Sequence, residues 1–216
     1  MAKARALIVD WGGVLTNSLQ DTMTTWCETD GIDYEAFRAV LADWLGASYG
    51  DDATTNPIHA LERGEMEVPD FEAELAARLR ARDGGTPEPT GLLTRMFAGF
   101  EPQPPMVRAV RRAKAAGVAT ALLSNSWGND YPRTGWEEMF DEVVISGEVG
   151  MRKPEPRIYR LVAQRLDLDP RRCVFVDDLM PNVRAAVDVG MVGVHHVTPQ
   201  QTLDELEPLF ETDLRH

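Results

Sequence analysis

The sequence has little positive charge, few cysteines and no long apolar run, and each shortage narrows what the chain does. Lysine occurs at three positions only, Lys3, Lys114 and Lys153, and the 22 lysines and arginines face 35 acids, for a net charge of −13. That balance disfavours generic binding to nucleic acid or an anionic membrane surface, both of which need cationic partners. It also makes any lysine in a site-like context informative. The two cysteines, Cys27 and Cys173, lie far apart and form no metal-ligand pattern, which argues against a disulfide framework and a cysteine-bound zinc site. Cys27 reads most simply as a small buried residue. No apolar run approaches the length that crosses a bilayer, and Met-Ala-Lys-Ala-Arg leads straight into a strand-like run. The expectation is a soluble, cytoplasmic protein without signal peptide or anchor.

What is present is ordinary globular composition, 44% hydrophobic and 26% charged over 216 residues, enough for one substantial core carrying a smaller insertion. Five short aliphatic runs read as buried parallel strands: Ala6 to Val9, Val118 to Leu123, Glu142 to Ile145, Cys173 to Val176 and Val192 to Val197. They lack clean alternation, as strands covered on both faces do. Helical patterns separate them. "PPMVRAVRRAKAAG" starts on proline, spaces Val107, Val110 and Ala113, and stops at Gly117. "PEPRIYRLVAQRLDL" puts Ile158, Leu161, Val162 and Leu166 on one face, and "MPNVRAAVDVG" repeats the scheme before Gly190. Alternating strand and helix predicts an α/β fold with a doubly wound, mainly parallel, Rossmann-like sheet. Residues 16–98 break the rhythm: Tyr34 to Leu45 and Asp70 to Arg82 look helical, no strand lies between them, and "DGGTPEPTG" at 83–91 is a loop. The predicted division is a core of 1–15 plus 99–216 and a helical cap of 16–98 inserted after the first strand.

Open α/β sheets bind ligands outside the carboxyl ends of their strands. Three strand ends here carry polar side chains at once: Asp10 after "ALIV", Ser124-Asn125 after "TALL", and Asp177-Asp178 after "CVFV". A carboxylate placed there is able to attack phosphorus or bind a metal, a hydroxyl to hydrogen-bond a phosphoryl oxygen, and an acidic pair to attract Mg²⁺. Lys153, in "GEVGMRKPEPRIY", supplies the positive charge, and Pro154 biases it away from helix, into a loop facing the cleft. Its ammonium neutralises a nucleophilic carboxylate and clamps a phosphoryl oxygen together.

Four pieces in order, "VDWGGVL", "LLSNS", "GMRKPEPRIY" and "VFVDDLMPN", resemble the haloacid dehalogenase-like hydrolase superfamily. With the strands and the insertion, the resemblance covers essentially the whole chain. It implies that Asp10 is the nucleophile forming an aspartyl-phosphate, that Ser124 and the Asn125 backbone hold the transferring group, and that Lys153 stabilises charge. It also implies a Mg²⁺ cofactor held by Asp178 first and Asp177 second, together with Asp10 and the Gly12 carbonyl. The substrate implied is a small phosphate ester. Nothing in the sequence decides the oligomeric state.

The departure is Gly12, where phosphatases of this family usually carry a second aspartate as general acid and base. Three explanations stand: a phosphatase whose leaving group is good or whose cap supplies the proton, a 2-haloacid dehalogenase, which needs no acid at position 12, or a non-catalytic binding descendant. The acidic pair "VDDLMPN" resembles the metal-bearing phosphatase form, while Lys153 and Tyr159 suit a dehalogenase as well. Phosphonoacetaldehyde hydrolase chemistry needs a Schiff-base lysine in the cap, and residues 16–98 contain none. Among other residues, Trp11 stands beside Asp10 as the aromatic best placed to meet substrate, and Trp26, Trp44, Tyr49 and His59 are candidates to line the cleft. Arg38 and Arg63 are candidates for a substrate anion. His195-His196 reads as structural or surface.

Overall fold

The computed structural model describes residues 4–46, 56–128 and 131–215. The expected strands are present as β1 (Ala6–Val9), β2 (Ala119–Ser124), β3 (Glu142–Ile145), β4 (Cys173–Asp177) and β5 (Val192–His195). They form one parallel sheet in the order β3-β2-β1-β4-β5. Two strands run further than expected at their carboxyl ends, so that Ser124 and Asp177 belong to the ladder itself. β5 stops short of Val197, which is exposed because the chain there turns into the Thr198 cap of the last helix.

Among the described residues, five helices make up the insert that follows β1: α1 (Leu19–Thr29), α2 (Tyr34–Gly46), α3 (Pro57–Glu62), α4 (Val68–Arg78) and α5 (Leu92–Phe97). α4 begins and ends earlier than the expected Asp70 to Arg82, since Pro69 suits a first helical turn. After the insert come α6 (Pro104–Ala115), α7 (Ser146–Val149), α8 (Pro156–Arg165), α9 (Met180–Asp188) and α10 (Pro199–Phe210).

The sheet is covered on both faces. Leu7, Val9, Leu122, Val174 and Val176 pack with α6 and α10, and Ala6, Ile8, Ala121, Leu123 and Phe175 pack with α8 and α9. That double burial is why the strands read as continuous apolar runs. α6 rotates slightly from its expected face, burying Met106, Ala109, Val110 and Ala113 while Val107 is half-buried. α8 likewise buries Tyr159 and Ala163 with Ile158 and Val162, leaving Leu161 and Leu166 at the margin.

The insert has a core of its own, built from Trp26, Phe37, Trp44, Phe71, Leu75 and Met96 among others. Its two connections to the sheet run side by side: Asn17 N donates to Glu101 O at 2.9 Å, Glu101 N to Asn17 Oδ1 at 3.0 Å, and Gln103 N to Leu15 O at 2.7 Å. Paired crossings of this kind join two packed bodies through a narrow waist, and the crevice beside it opens onto the carboxyl end of β1. No helix among the described residues is long and apolar enough to cross a membrane.

Candidate active site

Parallel register alone brings the first two acids together. β1 and β4 pair Ala6 with Cys173 and Ile8 with Phe175, so two residues further on the same face places Asp10 beside Asp177. Asp10 N continues the ladder to Val176 O at 3.0 Å. Lys153, in the loop before α8, is buried on that face, with Nζ 2.8 Å from Asp10 Oδ2 and 2.6 Å from Asp177 Oδ2. The loop is pinned to the end of β2 by a reciprocal pair: Lys153 N donates to Asn125 Oδ1 at 2.8 Å, and Asn125 Nδ2 to Lys153 O at 3.0 Å.

Asp177 has no free face. Its carboxylate accepts from Leu179 N at 2.8 Å and from Asn182 Nδ2 at 3.0 and 3.1 Å, besides the lysine. Asp178 is half-buried and lines the cavity, its backbone carbonyl held by His195 Nε2 at 2.9 Å. His195 is therefore structural, as expected, and His196 pairs with Thr202 Oγ1 at 2.8 Å. Gly13 explains the second glycine of "GG": its φ is +73°, and a Cβ there would stand 2.2 Å from Asp178 Oδ2. Gly12 is different, since a Cβ there would meet only Phe100 Cζ, at 3.7 Å.

Burial pushes the Asp10 carboxyl above the usual range, with Asp177 and Asp178 adding to it and Lys153 opposing. Burial, then Asp177, pushes Asp178 up to about 6. Burial works against the Lys153 ammonium, but Asp10 and Asp177 outweigh it and hold the lysine charged. Three carboxylates facing one ammonium leave net negative charge, and Asp10, Asp177 and Asp178 each offer an oxygen within 4.8 Å of the others. An all-oxygen anionic set of this kind fits a hard divalent cation such as Mg²⁺.

Ser124 Oγ and Tyr131 Oη lie 3.0 Å apart, and burial pushes the tyrosine up to about 12, so it is a neutral hydroxyl. Trp11 lines the cavity with its ring against Trp136 (5.3 Å between centroids) and Tyr131 (6.0 Å). The cavity measures about 260 Å³ and spans the crevice between the sheet's edge and the insert.

A model of the haloacid dehalogenase-like hydrolases matches residues 4–190. The chain belongs to that family. This hydrolase is 28% identical over 95% of its length to the mouse acyl-CoA dehydrogenase family member 10, of which it spans only 19%. It is 31% identical to the sesquiterpene phosphatase astK of Aspergillus oryzae, over 68% of this chain and 76% of that one. A family enzyme from Bacteroides thetaiotaomicron, bt-2542 in its magnesium complex, shares the fold with a TM-score of 0.64 at 19% identity, covering 90% of this chain and 93% of that one.

Not every residue singled out from the sequence reaches the hydrolase's cavity. Trp26 and Trp44 are buried inside the insert, Trp26 donating to Asp30 Oδ2 at 3.1 Å and Trp44 packing on Phe71. His59 is buried in α3 off the cavity wall, and burial, with Arg152 and Arg63 nearby, lowers it to about 4. Arg38 is exposed and paired with Glu35. Arg63 pairs with Glu155 at 2.6 Å, joining insert to core. Tyr159 is fully buried, donating to Asn182 O at 3.0 Å. Tyr49 lies outside the described residues. Sequence reasoning missed Glu62 and Arg152, which pair across the crevice, with Trp127 Nε1 donating to Glu62 Oε1 at 3.1 Å. Arg152 was within reach, as it immediately precedes Lys153; Glu62 carried no signal beyond an ordinary helical acid.

Proposed function

We propose that the chain is a Mg²⁺-dependent phosphomonoester hydrolase acting on a small metabolite through an aspartyl-phosphate, with residues 16–98 as its cap. The observation that carries this reading is the contact of Lys153 Nζ with both Asp10 and Asp177, with Asp178 beside them, at the floor of a cavity. Asp10 Oδ attacks phosphorus; the Asp10–phosphorus bond forms as the ester bond breaks, and the alcohol oxygen departs with its electron pair. The departing alkoxide takes a proton from solvent; water then attacks phosphorus and gives a proton back to solvent, the bond to Asp10 breaks, and inorganic phosphate leaves with the carboxylate restored. Lys153 favours the ionised form of Asp10 against the burial that opposes it, and neutralises charge on the phosphoryl oxygens. Ser124 Oγ and the Asn125 backbone orient that group, and Trp11 borders it. Asp178, Asp10 and the Gly12 carbonyl would hold Mg²⁺, which when bound withdraws charge from the phosphoryl oxygens. Asp177 stands second in that set, its oxygens already engaged with Lys153 and Asn182, so its main task is to fix the lysine.

Gly12 favours one rival. A 2-haloacid dehalogenase, in which Asp10 displaces halide, needs no acid at that position. The deciding experiment measures phosphate release from acyl, aryl, alkyl and sugar phosphates with Mg²⁺, with chelator, and with Asp10→Asn, alongside halide release from 2-haloacids. Metal-dependent phosphate release lost in Asp10→Asn is expected. Halide release that survives chelation, without phosphate release, overturns the reading in favour of the dehalogenase, and silence on both points to a binding role.

A further inference from the structure

From the wall of the cavity we infer the chemistry of the substrate's organic part: it is a compact apolar group, not a sugar. The inference rests on the phosphomonoesterase reading. The insert turns Leu19, Met23, Leu41, Ile58 and Phe97 toward the cavity. Its one polar lining residue among those described is Glu62, and that carboxylate is already held by Arg152 and Trp127. The apolar surface also continues to the reacting centre. Phe97 and Phe100 stack at 5.2 Å, and Phe100 Cζ lies 3.7 Å from where a Cβ on Gly12 would be. The apolar surface therefore reaches the turn directly after Asp10.

A sugar phosphate brought here buries several hydroxyls with no described insert group to pair them, which opposes binding. An alkyl, aryl or prenyl group gains from the same burial. The volume of about 260 Å³, shared with the phosphoryl group, limits the occupant to a compact one.

The test uses the full chain with Mg²⁺ and a series of n-alkyl phosphates from methyl to hexyl, against glycerol 3-phosphate and glucose 6-phosphate. Acetyl phosphate reports on the catalytic centre alone. In parallel, n-alkylphosphonates, which have no ester bond to cleave, are titrated against the chain's tryptophan fluorescence, to which Trp11 and Trp127 contribute from the cavity wall. The expected result is a rise in kcat/KM and in phosphonate affinity of roughly fourfold per added methylene until the cavity is full. Glucose 6-phosphate should fall far below hexyl phosphate, and Leu41→Gln should lower the hexyl-to-methyl ratio. If acetyl phosphate is cleaved but the alkyl series is flat or the sugar phosphates are preferred, the inference is overturned and the phosphatase stands. If no ester is cleaved while phosphonate affinity climbs with chain length, the apolar subsite stands and the phosphatase reading fails. Phosphonate affinity independent of chain length overturns the inference whatever the turnover.

Discussion

Removing the ammonium of Lys153 should destabilise the fold as well as stop catalysis, and the two effects are separable. Lys153 is 1% exposed and bridges Asp10 and Asp177, themselves almost wholly buried. Lys153→Met keeps the apolar stem and deletes only the charge, so two carboxylates are left facing each other without a counterion. Breaking a buried ion pair from one side costs roughly 3–5 kcal/mol. That is a large share of the roughly 5–15 kcal/mol that holds a typical domain together. Adding Asp177→Asn removes one of the stranded charges and keeps acceptors for Leu179 N, so the double variant should recover a good part of the loss, on the order of 1–3 kcal/mol. Urea unfolding of the wild type, both single variants and the double variant, in chelator so that no bound cation replaces the ammonium, reads this coupling. The cost of Lys153→Met should shrink as pH falls, because protonation neutralises the stranded acids. All three variants should be slow in phosphate release. A loss below about 1 kcal/mol for Lys153→Met at neutral pH, or a double variant no more stable than that single one, would refute the charge-balance reasoning.

Three other outcomes follow from the same geometry. Gly13→Ala places a Cβ on the Asp178 carboxylate at a φ of +73°, so the Mg²⁺ concentration for half-maximal phosphate release should rise by about tenfold or more; an unchanged requirement removes Asp178 from the proposed metal set. Gly12→Asp is open at its first side-chain atom, since a Cβ there makes an ordinary 3.7 Å contact with Phe100. It should speed alkyl esters, by at most roughly 10²–10⁴, and leave acyl phosphates unchanged; no gain on poor leaving groups means that the missing acid does not limit the rate. His59 drops from 6.5 to about 4 in the folded chain, so between those values the unfolded chain binds the extra proton. Stability is therefore full above pH 6.5 and falls toward pH 4. The His59→Gln variant should lose that slope in urea midpoints across the window, and an identical slope would refute burial of the neutral ring as its origin.

The parts of the site nearest the sheet were legible because strand ends obey a simple rule. Asp10, Ser124 and the Asp177-Asp178 pair follow directly on apolar runs, and the carboxyl edge of a parallel sheet gathers them wherever the helices go. Lys153 stood out because lysine is rare. The insert was less legible. A helix in a small layer has one apolar stripe that serves both its own core and the cavity, and periodicity does not say which residue faces which. Trp26, Trp44 and His59 thus went to the interior, while the less conspicuous Leu19, Met23 and Leu41 reached the crevice.

The sequence by itself determined the parallel sheet, its family, the helical insertion after the first strand, and the identity of the charged residues along one edge. These follow from local pattern: apolar runs, proline starts, glycine stops and acids at strand ends. Only the tertiary structure decided how the charges divide their work. Asp177 closes on Lys153 and Asn182 while Asp178 lines the cavity, though the two are neighbours in sequence, because Asp177 is the last residue of β4 and Asp178 lies in the bend beyond it. Only the fold, too, brought Glu62 to Arg152 and Phe100 to Gly12. Those contacts join residues some 90 positions apart in the chain, and contacts at such separation depend on how insert and sheet pack, which no local pattern encodes.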